Sequence, residues 1–138
     1  MKKAFSMLEL VFVIVIIGIL AAVAIPKLWV TRDDAIVAKI RSDVSNIRSA
    51  ISSKYGKYVL EGNDSCPSLE GADDNRLFEG VMAYPIKKNS GSIKWDGNGT
   101  DYNITWNDKV LKFHYYNNPA DNCKFECNNT DACDVMGE

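Results

Sequence analysis

From Phe5 to Ile25 the chain carries a single ionisable side chain, Glu9, in a stretch otherwise free of charge. Lys2 and Lys3 precede it and Pro26 ends it. Roughly 20 apolar residues suffice for a helix to cross a bilayer, so this segment is long enough to span one. A carboxylate inside such a span costs a few kcal/mol and usually has a partner. Glu9 is therefore a functional candidate from the outset.

Three accounts of this N-terminus compete. A secretory signal has a basic start, an apolar core and a small-residue cleavage site, and Ala22-Val23-Ala24 supplies such a site. Glu9 falls where that apolar core would begin and serves nothing in a discarded peptide. A plain single-span anchor leaves it equally idle. The third account rests on Ala4-Phe5-Ser6-Met7-Leu8-Glu9 followed by an apolar run ending Gly18-Ile19-Leu20-Ala21-Ala22-Val23-Ala24-Ile25-Pro26. In order, spacing and the odd glutamate, these residues closely resemble the class III leader of type IV pilins and type II secretion pseudopilins.

In that family a membrane peptidase cuts before the phenylalanine and methylates the new amine. The resemblance implies cleavage between Ala4 and Phe5 and N-methylation of Phe5. The family usually has glycine before the cut, whereas this chain has Ala4, which is small enough for the same pocket. Cleavage frees a positive amine at Phe5, and staggered stacking of helical subunits lets Glu9 of one copy pair with the amine of its neighbour. Inside a low-dielectric bundle that pair is far stronger than in water, and an unpaired charge is penalised. Phe5, Glu9 and Pro26 are the expected assembly residues. The implied partners are further copies in a homo- or hetero-polymeric filament, the prepilin peptidase and an inner-membrane assembly platform.

Beyond Pro26, residues Ile36, Ile40, Val44, Ile47, Ile51, Tyr55 and Tyr58 recur every three or four positions, the period of one helix face. Arg41, Asp43, Asn46, Arg48 and Lys54 suit the solvated side. Pro26 should bend the helix without ending it. One helix is expected from near Phe5 to about Tyr55, with Gly56 as its stop. Residues 61–91 are polar and turn-rich, with a short helical turn expected near Leu77 to Met82. Alternation then sets in: Ile93 and Trp95, Tyr102, Ile104 and Trp106, and Phe113 and Tyr115 sit at spacing two. Asp96-Gly97-Asn98-Gly99 and Asn107-Asp108 separate three strands of an antiparallel meander. The tail from Pro119 reads as irregular. The expected class is α+β: a leader at 1–4, a membrane-spanning assembly half of the helix at 5–25, its amphipathic half at 26–58, and a periplasmic globular part at 59–138.

Cys66, Cys123, Cys127 and Cys133 all follow the apolar segment, as two disulfides in an oxidising compartment require. Their spacings match no common zinc signature, and the single His114 falls in an expected strand. One bridge from Cys66 to the C-terminal cluster and one within it would pin a tail poor in apolar residues. Asn63, Asn98, Asn103 and Asn128 each head an N-x-S/T sequon. Each also has an acidic residue two places earlier, namely Glu61, Asp96, Asp101 and Glu126. With 18 acidic residues among 138, four such coincidences form a pattern. They resemble the extended acceptor of bacterial N-glycosylation, whose transferase pairs a cation with that acidic residue. Asn103 is the weakest candidate because it lies in an expected strand.

Asp96, Asn98, Thr100 and Asp101 alternate as calcium ligands do, but Asp101 stands where a glycine is needed and no glutamate closes the loop. The tail holds Asp121, Asp131 and Asp134, and pseudopilins that this chain resembles often hold calcium in their C-terminal loop. No metal or other cofactor is assigned. Net charge is −2, and without Lys2, Lys3 and Glu9 the rest holds 14 basic and 17 acidic side chains. No basic face speaks for nucleic acid. No nucleophile elbow, phosphate-binding glycine loop or ligand set supports an enzyme. Trp29 reads as an interfacial anchor, and Trp95 and Trp106 as strand-face core.

Lys2 and Lys3 keep the leader cytoplasmic by the positive-inside tendency, placing the C-terminal part in the bacterial periplasm beyond a single inner-membrane span. The expected function is a pilin-like structural subunit that assembles into a periplasmic or surface filament. The short chain and compact meander favour a pseudopilin of a type II secretion or DNA-uptake machine. A type IV pilus subunit for adhesion or motility is the first alternative, and a membrane-tethered or secreted ligand-binding domain the more distant one.

Overall fold

A computed structural model describes residues 3–137, without the side chains of residues 28–31 and Thr130. Trp29, expected as an interfacial anchor, has its side chain outside the described residues, as do Met1 and Lys2 in full. The architecture is α+β. Helix α1 runs Met7–Leu60. It is followed by β1 (Arg76–Leu77), β2 (Ile86–Lys87), β3 (Asn89–Ser90), β4 (Ile93–Gly97), β5 (Asp101–Trp106), β6 (Lys109–Tyr115), β7 (Phe125–Cys127) and the single-turn helix α2 (Thr130–Cys133). The chain divides after Ala35 into two compact units.

In the unit ending at Ala35, every described side chain is exposed. The first helical turn is closed by Ser6, whose carbonyl accepts the Leu10 N–H at 3.1 Å. Pro26 lies within the helix.

The unit from Ile36 onward holds the core. Strands β3 to β7 form one antiparallel sheet in sequence order, and β1 pairs with β2 as a separate ribbon. Ile40, Val44, Ile47 and Ile51 of α1 are buried in one cluster with Ile93, Trp95, Tyr102, Ile104, Trp106, Leu111, Phe113, Tyr115 and Phe125. Period 3.6 on the helix thus meets period 2 on the sheet, and both predicted patterns converge on one core. Asn107 and Asp108 both have positive φ, 42° and 60°, as a two-residue hairpin twisted to match its strands requires. Phe78 also has positive φ, 67°. That strain is offset by its ring, which stacks on Tyr102 at 4.6 Å and meets Trp95 and Phe125 edge-on.

Four expectations are corrected. The helix does not stop at Gly56. It continues to Leu60, because a mid-helix glycine costs only about 1 kcal/mol relative to alanine and the packed stripe carries the helix through. The stop is Gly62 at φ 80°, where the Gly62 N–H reaches the Val59 carbonyl and the Asn63 N–H the Tyr58 carbonyl. The segment near Leu77 opens as a strand, with a single turn in which the Val81 and Met82 N–H groups donate to the Phe78 carbonyl. The tail is not wholly irregular, since β7 joins the sheet against β6 with Tyr115 opposite Phe125. Arg48 is half-buried rather than solvated: its Nε donates to the Phe125 carbonyl at 2.9 Å, at the edge strand β7, while its stem lies along the protein.

The bridges are Cys66–Cys123 and Cys127–Cys133. The first ties the segment after the helix to the start of the tail, and the second closes a small ring around α2. Trp95 and Trp106 are 2% exposed, and their indole N–H groups find no hydrogen-bond partner among the described residues.

Candidate functional site

The apolar segment earns attention first, because nothing in its own unit covers it. Large side chains from Phe5 to Ile25 are exposed, Phe5 at 78% and Leu8 at 82%. This stretch of α1 is long and apolar enough to cross a membrane, with a mean hydropathy of 3.1 over its most apolar window. A helix apolar on every face has no stable home in water.

Glu9 sits in the first turn of that helix. Its backbone N–H donates to the Ser6 Oγ at 3.2 Å, and with the Leu10 N–H on the Ser6 carbonyl this makes Ser6 the N-cap. Ser6-Met7-Leu8-Glu9 has the S-x-x-E spacing of a capping box. Ser6 is the functional residue that sequence reasoning missed, and that spacing was the signal that names it. The cap fixes Glu9 at the third helical position, where a negative charge also complements the helix dipole by about 0.3–1 kcal/mol. Ala4 and Phe5 lie ahead of the helix, exposed and outside regular structure. A shallow apolar groove of about 470 Å³, lined by Ser6, Leu8, Glu9, Val11, Phe12 and Val15, runs beside the carboxylate.

The sequons fall in four different settings. Asn63 is exposed just beyond the helix stop, whereas Asn98 is exposed within the β4–β5 turn. There the Asn98 Oδ1 accepts the N–H groups of Thr100 and Asp101 at 3.1 and 2.8 Å. Asn103 is half-buried in the middle of β5, opposite Asp96 on β4 and Lys112 on β6. Asn128 is exposed directly after β7, with its N–H on the Lys112 carbonyl at 2.9 Å.

In the acidic β4–β5 turn, two side chains are engaged locally. Asn98 caps its own turn, and Asp101 Oδ1 lies 2.7 Å from His114 Nδ1. Among the described residues no group of three or more His, Cys, Asp or Glu side chains is placed to hold a metal ion. A groove of about 550 Å³ lies between α1 and β7 around Arg48, Ser52 and Phe125.

No protein-family model matches the chain, and no solved structure does. Two curated proteins match, both named Type IV major fimbrial protein FimA, from Dichelobacter nodosus. One is 33% identical over 82 residues, covering 58% of this chain and 49% of the relative. The other is 30% identical over 101 residues, covering 72% of this chain and 59% of the relative. The chain therefore spans between half and three-fifths of the length of these curated relatives. Identity of this extent, on a chain that also builds a long, partly uncovered N-terminal helix, supports kinship with the type IV pilin family.

Proposed function

We propose that the chain is a pilin-like filament subunit, cut between Ala4 and Phe5 and polymerised through residues 5–25. One observation carries this reading: a helical surface apolar on every described face, broken only by the carboxylate of Glu9. Before assembly that surface is solvated by the lipid of the inner membrane. In the filament it packs against neighbouring copies, where Glu9 meets the methylated amine freed at Phe5. Burial of both charges makes the pair a register device, since a copy docked out of register leaves a charge unpaired in low dielectric. Lys2 and Lys3 hold the leader in the cytoplasm for the peptidase. The unit from Ile36 onward faces the periplasm, where disulfides persist.

The machine we assign is a type II secretion or DNA-uptake assembly, which the compact five-stranded meander supports. A second reading, a type IV pilus subunit, is favoured by the naming of both relatives as major fimbrial proteins. Deleting the chain and comparing enzyme export, DNA uptake and surface fibres separates the two. The subunit reading itself is tested by intact mass: the mature protein should lack Met1 to Ala4 and carry one added methyl group. A mature chain starting at Ile25 would overturn it. Glu9→Val should insert in the membrane normally and enter filaments poorly, and normal incorporation of this variant would sink the ion-pair mechanism.

A further inference from the structure

Four sequons share one sequence pattern but not one environment, and the environment discriminates among them. A transferase must draw the acceptor asparagine, the residue two before it and the residue two after it into an extended groove. Backbone already committed to a ladder cannot enter such a groove without local unfolding.

Asn103 fails this requirement outright, because β5 is bonded to β4 on one side and β6 on the other. Asn98 fails by its own side chain, whose carbonyl oxygen holds two backbone N–H groups, while the Thr100 carbonyl accepts the Tyr115 N–H at 2.8 Å. Asn128 fails through its neighbours. Its own N–H is bonded to β6, Asn129 donates to the Val110 carbonyl and accepts from the Lys112 N–H, and the Cys127–Cys133 bridge closes over the sequon.

Asn63 differs. It is exposed, it follows the left-handed Gly62, and no hydrogen bond engages its side chain among the described residues. Residues 63–71 belong to no strand or helix. Two ties reach the sequon: the Asn63 N–H on the Tyr58 carbonyl at 2.9 Å, which belongs to the last turn of α1 rather than to a sheet ladder, and the Tyr55 hydroxyl on Asp64 Oδ1 at 2.7 Å, an exposed contact. The Glu61 side chain, two residues before, pairs with Lys57 at 3.8 Å, and both side chains are more than half exposed. A pair of that kind is worth little and yields readily to another cation.

We infer that Asn63 is an N-glycosylation site, the one of the four sequons that the folded domain offers, with Glu61 as the acidic residue a transferase reads. The co-substrates are a polyprenyl-pyrophosphate-linked oligosaccharide and a transferase that recognises an acidic residue two before the asparagine. The Asn63 Nδ2 attacks the anomeric carbon, a C–N bond forms as the carbon–oxygen bond to pyrophosphate breaks, polyprenyl pyrophosphate leaves, and the amide proton passes to a transferase carboxylate. In the cell the step rests on the export proposed above.

The test removes that dependence. Full-length, disulfide-bonded protein in detergent is mixed with a purified bacterial transferase of this kind and its lipid-linked donor, and glycopeptides are quantified by mass spectrometry. Occupancy at Asn63 should exceed that at each other sequon by about tenfold or more, the ratio expected when local opening costs at least ~1.4 kcal/mol. In reduced, unfolded protein the four sequons should come within a few-fold of one another. Glu61→Gln should lower Asn63 occupancy by about tenfold through loss of a charge pair with the enzyme, and Glu126→Gln should leave it unchanged. An unmodified Asn63, equal occupancy at Asn103 in the folded chain, or an unchanged preference after unfolding would each overturn the inference. Because enzyme and substrate meet in detergent, such a failure says nothing against the filament reading, which stands or falls on mature mass and assembly.

Discussion

Residues 7–25 and residues 36–60 belong to one helix yet obey different rules. The first stretch is apolar on every face and buries nothing in its own unit, with Ile17 59% exposed. The second places apolar groups every three or four positions and buries them against a sheet, with Ile47 at 0%. A stripe specifies a partner surface within the same chain. An all-round apolar helix specifies a medium, either lipid or other helices like itself. The difference separates residues that stabilise the fold from residues whose apolar surface is left uncovered in their own unit, although both are isoleucines on the same element.

Substitution to alanine sharpens this contrast most. Ile47→Ala should destabilise the unit from Ile36 onward by about 2–5 kcal/mol, from lost transfer energy and the cavity left behind. The check is guanidinium unfolding of full-length protein in detergent, followed by near-ultraviolet circular dichroism. Ile17→Ala should shift that midpoint by no more than ~0.5 kcal/mol while lowering incorporation into filaments. Equal losses of stability from the two variants would erase the distinction.

The two disulfides carry the next effect, and both lie on the folded side of the comparison. Cys66–Cys123 spans 57 residues and Cys127–Cys133 spans 6. Chain entropy alone assigns about 4 kcal/mol to the long loop and about 2 to the short one. Replacing each pair by serines should reproduce that order in the same unfolding assay. A larger loss from the short loop would mean that its ring acts through contacts of α2 rather than through the unfolded chain.

The parts of the fold that were legible beforehand are those where a side-chain period repeats. The stripe from Ile36 to Tyr55 and the alternations in β4, β5 and β6 each repeat often enough to declare a face. β1, β2, β3 and β7 are two or three residues long, too short for any period to show. They exist because a neighbouring strand offers a ladder, which is tertiary information. Gly56 misled because a glycine marks a helix end only where the left-handed conformation is used, and that is at Gly62. At the N-terminus Glu9 stood out by its charge, while Ser6 did not, because a cap becomes visible only when its spacing to the next turn is read.

Alkaline pH should distinguish the units as well, since residues 5–25 hold no tyrosine. Burial, and then the carboxylate of Glu70 that accepts its hydroxyl at 2.5 Å, hold the Tyr102 pKa far above its ordinary value. Burial alone pushes Tyr115, which donates to the Pro67 carbonyl, up to about 12. Both stay protonated in the fold at pH values where an unfolded tyrosine, with a pKa near 10, has lost its proton. The folded state then binds more protons, so stability is fully present below about pH 10 and falls as pH rises toward 12 and beyond, by about 1.4 kcal/mol per pH unit for each tyrosine. Tyr102→Phe should remove one of these two slopes, as read from unfolding midpoints between pH 9 and roughly 12. An unchanged slope would show that Tyr102 ionises in the fold as it does in water.

The smallest effect decides what Glu9 is for. Its backbone N–H is held by Ser6 and its charge sits at a helix N-terminus, so helix capping alone offers an account of the residue that needs no neighbour. Ser6→Ala removes the cap and should cost about 1 kcal/mol locally, seen as roughly fivefold faster amide exchange at Glu9 and Leu10 in micelles, with the unfolding midpoint of the other unit unmoved. Glu9→Gln keeps its backbone N–H on Ser6 and keeps the side-chain shape, losing only the charge, so its first turn should exchange nearly as the parent does. If pairing across subunits is the role of the carboxylate, Glu9→Gln lowers filament incorporation much more than Ser6→Ala does. If the two variants assemble equally poorly, an intact first turn is what assembly requires, and Glu9 is a capping residue placed in a membrane span.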